Sequence, residues 1–532
     1  NETAMLARLL SGAPDAAGLQ SNLVLAPGVE IVNTSGDLTL GLANTSGSTN
    51  TEALAAADWD LSKFRYGTKS AAGVLTLRAQ GDVVFNNTLS DGFNPITQGN
   101  AQTFADNGHS LLWLGTLMTI NDALPVNTQS WSYRITAGAD LASSDFRSVL
   151  SAEELESQQP GKGSVIVGEF HPAVPNILTS GTAAGIGANG QTADSIRISS
   201  TTTNQGNRFE VVRTGTGNIT VSAGRDVQLR NQFSTIYTAG VAFPTPTTVF
   251  SGNDFVIPNI PTNINRHPSQ SVSGTLGAIQ QLYQPVWSMA GGNVSLAAQS
   301  NIGRYTLVNG VLTADSSRQM PTNWLYRRGY VDPSTGLFAS DGGFGSNPDI
   351  NNPTNINDAA TSTTWWIDYS NFFQGVGTLD GGNIDINAGN DVVNVDAVAP
   401  TNARMAGRKK NPDFGVVAGA PEYINLAPDE ANLLEMGGGD ISIRASNNID
   451  GGVYYVERGK GTLNAGGSIT TNAARSPSLG ILDGSSALDP LTWMPTTLFV
   501  GKSTFDVSAR GDVLLGPVSN PFLLPQGLNN KY

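Results

Sequence analysis

Few side chains in this 532-residue chain have the types and spacing that chemistry demands. Asp385 and Asp396 are a pair of strand carboxylates of the kind that lines a polysaccharide-cleaving groove. Asp385 falls at an outward strand position, so solvated surface is its plainer reading. Trp365, Trp366, Tyr369, Phe372 and Phe373 form the densest aromatic patch. Packing under an insertion is the default for such a patch. A ligand-contact platform, with sugar faces stacked on the rings, is the sharper alternative. Arg404, Arg408, Lys409 and Lys410 form the one basic cluster, in a stretch rich in Gly, Asn and Pro that reads as an exposed loop. His109, His171 and His267 each stand alone in their segments and read as loop histidines. Asp380-Gly381-Gly382-Asn383 and Gly437-Gly438-Gly439-Asp440 have the composition of calcium-binding β-rolls. Those rolls need tandem nonapeptides, whereas each Gly-rich run here occurs once before a strand, so turn glycine is expected. No catalytic residue, metal site or cofactor is assigned.

Composition narrows the classes further. The 29 Lys and Arg against 43 Asp and Glu leave a net charge of −14. Phosphate binding needs a basic stripe, so nucleic acid is not an expected partner. With no cysteine, thiol catalysis, disulfides and Cys-ligated metals are excluded. No apolar run reaches the ~18–20 residues of a membrane-spanning helix. Charged residues are 14 % of the chain, against roughly 25 % in an ordinary domain. Sixty-one glycines accompany abundant Ser, Thr and Asn. This balance points to an extended all-β protein dressed in small polar residues.

A repeat supplies the scaffold. The pattern apolar-x-apolar-x-Ala-x-x-Asp/Asn-apolar occurs at Leu75–Val83, Tyr133–Leu141, Ile219–Val227, Val294–Ile302, Ile384–Val392, Ile441–Ile449 and Phe505–Val513. Gly461–Ile469 is a degenerate copy, and Gly36–Leu42 reads as another that has lost its alanine. Period-two alternation turns the first, third and fifth residues to one face of a strand. Alanine marks a narrow interior corner, and Gly with Asx suits the turn after it. A chain that bends repeatedly without reversing coils into a parallel β-helix, each coil stacked ~4.8 Å from the last. Copies of a plain solenoid follow every 20–30 residues or so. The longer intervals here are expected to hold weaker rungs, such as Ser164–Phe170 and Ser195–Ser200, together with ordered insertions. All eight tryptophans lie outside the repeat, as they would if the insertions pack on the shaft. The repeat also absorbs Arg510-Gly511-Asp512, the tripeptide of integrin ligands, because Asp512 falls at the turn position of Asp82, Asp226 and Asp391.

Short helices are expected at Glu2–Leu10, at Ser151–Ser157 behind a serine N-cap, and at Pro428–Met436. Residues 1–72 read as weak rungs continuing a longer shaft, 73–515 as the shaft with its insertions, and 516–532 as a Pro-rich cap or tail. The start at Asn1 reads as a processed or excised piece of a longer precursor.

The stretches Trp365–Pro400, Gly437–Ile469 and Val507–Gly527 resemble the C-terminal conserved region of filamentous-haemagglutinin-like large exoproteins of two-partner secretion. The resemblance covers about Asn323–Gly527. It implies a right-handed parallel β-helix (solenoid) with long ordered insertions and a few short helices. It further implies a secreted or outer-surface protein of a Gram-negative bacterium, an adhesin or extracellular structural fibre with no enzymatic role. Its partners would be host or bacterial surface glycans or proteins, copies of itself in a fibre, and an outer-membrane secretion partner for export. The alternatives are a carbohydrate-active β-helix, lyase or hydrolase, and a phage tail-spike-like fibre. The family's secretion domain and its compact tandem repeats are both missing from this sequence.

Overall fold

The structure, a computed structural model, describes residues 2–16, 18–19, 23–41, 59–93, 125–169, 210–230, 234–243, 255–256, 287–308, 310–314, 321, 324–328, 364–367, 369, 372, 374–405, 408–410, 413, 415–420, 423–424, 433–471 and 495–523. The repeat strands pair in parallel in the order they occur, from Gly28–Asn33 through Val74–Ala79, Ser132–Ala137, Ile219–Ala223, Val294–Ala298, Ile384–Ala388 and Ile441–Ala445. The series ends with Gly461–Ala465 and Phe505–Ala509. These nine strands form the first face of a coiled shaft. The apolar residue after each turn opens a second parallel face, running from Leu38–Leu40 to Ile469–Thr470. A third face runs from Trp59–Asp60 through Val211–Thr214, Thr235–Thr238 and Ala397–Ala399 to Val518–Ser519. Among the described residues the protein is thus an all-β parallel β-helix of nine coils with three faces.

Packing explains the spacing. Ala79, Ala137, Ala223, Ala298, Ala388, Ala445 and Ala465 stack in register, all buried, at the inner corner between the first two faces. A larger side chain there would meet its copies in the coils on either side. Leu77, Ile135, Val221, Leu296, Ile386 and Ile443 form the adjacent inward column. Each such buried aliphatic side chain contributes roughly 1.5–3 kcal/mol. Where the pattern lapses at Gly461, the neighbouring coil fills the gap: a Cβ on Gly461 would run into the Phe505 ring.

The turn Asx residues form a ladder along the shaft. The Asp82 amide donates to Asp37 (2.8 Å), and the Gly163 and Ser164 amides donate to Asp82 (2.8 Å each). Farther along, Asn301 donates to Asp226 (2.9 Å), Asp391 to Asn301 (3.2 Å), Asn448 to Asp391 (2.7 Å) and Ser468 to Asn448 (2.8 Å). A second ladder precedes the first face. There Asn293 donates to Asn218 (2.8 Å), Asn383 to Asn293 (2.8 Å) and Asp440 to Asn383 (2.9 Å). Asx suits the position because its short side chain reaches the next coil's amide from a turn, and Ser164 and Ser468 serve there too.

The structure corrects several expectations. Gly36–Leu42 is not a repeat strand: Leu38–Leu40 lies on the second face, and the first-face strand of that coil is Gly28–Asn33, with Asn33 in the alanine column. Leu141 opens no second strand, because residues 138–164 are inserted and Val165–Val167 takes that place. The long intervals therefore hold no extra rung among the described residues. The bare coil is 20 residues, from Ile441 to its register partner Gly461 (461 − 441 = 20). Helices form at Glu2–Leu9 and at Ala152–Gln158, the second with a capping box between Ser151 and Glu154. Of the helix expected across Pro428–Met436, residues 428–432 lie outside the described residues, and the rest belongs to the strand Leu433–Gly437, where pairing with Thr401–Met405 overrides local preference. After Pro517 the chain adds one more short strand, Val518–Ser519, beside Leu498–Phe499.

Candidate functional surfaces

Insertions from three successive coils meet over the outer side of the third face. Val241–Phe243 pairs with Trp287–Met289. Leu325–Arg328, Thr364–Ile367, Thr401–Met405 and Leu433–Gly437 join as an antiparallel sheet. Beneath this layer lie the outward residues of the shaft, Tyr237, Val398, Tyr455 and Phe499. Trp365, Tyr369 and Phe372 fill the space between, while Trp366 packs separately with Val241, Trp287, Met289 and Met436; Trp365, Trp366, Tyr369 and Phe372 are 2, 3, 7 and 1 % exposed. Their rings are spent on other buried rings: Phe372 lies edge-on to Tyr237 and to Trp324, both at 5.2 Å, and Trp366 lies edge-on to Trp287 at 6.4 Å. The Trp365 indole donates to Thr401 (3.1 Å), and its ring faces Phe522 at 5.0 Å. The patch is therefore packing under an insertion, and these four rings present no stacking platform. Phe373 lies outside the described residues, as do His109, His171, His267 and Ser195–Ser200.

A buried polar knot holds the layer to the shaft. Asp380 ends the third-face turn of its coil and is fully buried. Its carboxylate accepts from the Tyr369 hydroxyl and from the Asn402 amide. Asn402 also donates to the Ser288 carbonyl (2.9 Å) and accepts from the Ser288 amide (3.1 Å), and the Ser288 and Tyr369 hydroxyls share a hydrogen bond. Burial pushes the Asp380 carboxyl up to about 7, and the hydrogen bonds from Ser288, Tyr369 and Asn402 only partly offset it. The same burial drives the Tyr369 hydroxyl well above its usual value. A second buried acid, Glu457, accepts from the Tyr455 hydroxyl (2.9 Å) and is pushed up to about 7, again by burial first. No motif announced the Asp380 site, because Ser288, Tyr369 and Asn402 come from separate insertions.

The other candidates are structural parts. Asp396 is not solvated: it is fully buried and accepts from the Val453 amide (2.7 Å) in the next coil. Asp385 is on the open first face, 3.6 Å from Arg444. The two carboxylates thus belong to different faces and line no common groove. Arg404 stands in the strand Thr401–Met405, and Arg408, Lys409 and Lys410 form another strand, paired with Phe255–Val256 and Tyr423–Ile424. The expected basic loop is two strands, because both runs find pairing partners in the insertions. The Gly-rich starts serve close approach. Gly382 is held at φ +97°, and a Cβ there would run into the Gly292 carbonyl, as one on Gly439 would run into that of Gly382. In the exposed Arg510-Gly511-Asp512 turn, the Gly511 amide donates to Gly467 (2.8 Å) and the Asp512 amide to Ser468 (3.0 Å), so the tripeptide is a coil corner.

What stays open is a flat polar field on the first face. Asp385, Asn387, Ser442, Arg444, Thr462 and Asn464 point outward from three adjacent coils and are half-buried or exposed. On the coils of Val74–Ala79 and Ser132–Ala137 the same face is covered, since Arg78 donates to Asp140 (2.6 Å) and Thr136 to Phe146 (2.5 Å) of the 138–164 insertion. No helix of the described residues is long and apolar enough to cross a membrane. Compared with family models, with curated proteins and with solved structures, the chain matches none.

Proposed function

We propose that the chain is a segment of an extracellular fibre or surface adhesin of the filamentous-haemagglutinin kind, exported by a Gram-negative bacterium and working without catalysis. The observation that carries this reading is how the shaft uses its acids. Asp82, Asp226 and Asp391 brace successive coils, Asp380 and Asp396 are buried tethers, and Asp385 faces Arg444 on a flat field. A flat face of small polar groups at coil spacing suits contact with an extended surface, whether glycan or protein. The basic strands and the first-face field are the places where such a partner would bind. Negative-stain imaging of the native assembly, labelled with an antibody to this chain, is the test, and labelled fibres or surface hairs are the expected result. Release of unsaturated or reducing ends from a polysaccharide panel, abolished by Asp385→Asn, would put the carbohydrate-active alternative first.

A further inference from the structure

Where the 138–164 insertion crosses the first face, the molecule shows what that face can hold. Residues 139–149 lie over the coils of Val74–Ala79 and Ser132–Ala137, in a loop closed where Ala139 bridges Val149. The face holds the loop chiefly by its main chain. Arg78 donates to the Asp140 and Ser143 carbonyls (2.6 and 3.3 Å), and the Thr136 hydroxyl donates to the Phe146 carbonyl (2.5 Å). One side chain adds to these bonds: the Arg134 guanidinium lies over the Phe146 ring, 4.4 Å from its centre.

The same two outward columns continue into the open field. Register carries the Arg78 position through Thr136, Ser222 and Ala297 to Asn387, Arg444 and Asn464. It carries the Arg134 position through Thr220 and Ser295 to Asp385, Ser442 and Thr462. Arg444 therefore stands where Arg78 stands, with an exposed amide side chain one coil away on either side, at a spacing of ~4.8 Å. Its ion pair with Asp385 spans 3.6 Å between two solvent-exposed side chains, and such pairs hold weakly. Among the described residues, the side chains of Asn387, Ser442, Thr462 and Asn464 make no hydrogen bond, and the Ser442 hydroxyl is shielded from water as well. The insertion that leaves the shaft between the coils of Ile384 and Ile441 turns the other way. Its two arms, Thr401–Met405 and Leu433–Gly437, pair in the layer over the third face.

We propose that Asn387, Arg444 and Asn464 bind a main-chain turn of another protein, one that carries an aromatic side chain, as the earlier coils hold residues 139–149. The three donors take carbonyls of the turn, Arg444 lies against its ring, and the Asp385 carboxylate accepts from its amides. A glycan fits the field less well, because sugar faces stack on aromatic rings and no residue of the field is aromatic. This names the partner class of the adhesin reading above and rests on that reading.

A ring peptide with the sequence of residues 139–149, closed at its ends and fluorescently labelled, is the probe. The chain's own loop fills the earlier site, so the free ring reports on the open field. Fluorescence anisotropy with the full chain is expected to show saturable binding. Arg444→Ala should weaken it about tenfold, and Asn464→Ala should weaken it less. The same ring with Phe146→Ala should also bind more weakly. Thr39→Ala, exposed on the second face, should leave binding unchanged. No saturable binding, or binding indifferent to Arg444→Ala and Asn464→Ala, overturns the proposal. So does saturable binding of a neutral oligosaccharide that Arg444→Ala abolishes, since the field would then be a glycan site. Each of these outcomes is read separately from the fibre imaging, so a failure here and a failure of the surface reading are told apart.

Discussion

At the scale of single residues, the shaft is fixed by positions with no freedom of size. Ala388 is fully buried between Ala298 and Ala445, so Ala388→Leu drives a branched side chain into its own column. The expected loss is ~1–3 kcal/mol by denaturant titration, and Ala388→Ser, close in size, should cost less. The Asx positions obey a different constraint, which is reach. Asp391 accepts from the Asn448 amide and from the Asn447 side chain (2.9 Å). Asp391→Ala leaves both donors without that acceptor and should cost ~1–3 kcal/mol. Asp391→Asn keeps a carbonyl oxygen in place, as Asn301 and Asn448 do naturally, and should be nearly neutral. Faster amide exchange at Asn448 in the Ala variant alone is the measurement that separates the two. These positions were legible in the sequence because every coil repeats them. Arg213 was not, though it is buried across the Phe93 ring (3.8 Å) and donates to Ser90 (2.8 Å). It occurs in one coil, and its partners come from another.

At the scale of elements, the outer layer depends on acids that fold best when neutral. Asp380 and Glu457 are both pushed up to about 7 from ordinary values of 3.8 and 4.5. The folded state therefore holds more protons than the unfolded chain between about pH 4 and 7. The stability these groups add is fully present below their unfolded values and is lost as pH rises through about 7. Thermal unfolding should occur at a higher temperature at pH 5 than at pH 8, and Asp380→Asn should flatten the difference. A melting temperature that rises from pH 5 to pH 8 would contradict this account. The first two faces could be read from sequence because one strand side is apolar and the other polar, as in Ile384–Ala388. The third face could not. Strands such as Thr235–Thr238 and Ala397–Ala399 are buried on both sides, by the core and by the insertions, so no alternation survives. The antiparallel layer was hidden for a related reason, since its paired residues are 28 (433 − 405) to 48 (289 − 241) residues apart.

At the scale of the whole molecule, stability should be quasi-one-dimensional. Each coil touches chiefly the coils on either side, so the ends are held from one side and the middle from two. The asymmetry is visible in the repeat strand: Ile384–Ala388 buries its inward residues completely, whereas Phe505–Ala509 leaves them half-buried. The outer layer adds a second gradient, because it ties together the coils that begin at Ile219, Val294 and Ile384 through Ser288, Tyr369, Asp380 and Asn402. Amide exchange should accordingly be slowest in Val294–Ala298, Ile384–Ala388 and Ile441–Ala445. It should quicken toward Gly28–Asn33 and Phe505–Ala509, and the two ends should open below the free energy of global unfolding. Truncation after Leu515 sharpens the test. It removes the last strand and Phe522, which uncovers the Trp365 ring and the Leu498–Phe499 edge. Tryptophan emission should shift to the red and light scattering should rise, since a bare strand edge invites pairing. Protection in Ser132–Ala137 and Ile219–Ala223 should stay at its full-length value, because no contact carries the loss across the intervening coils. If truncation lowered protection equally in every coil, the shaft would be one cooperative block, and stacking between neighbours would not account for its stability.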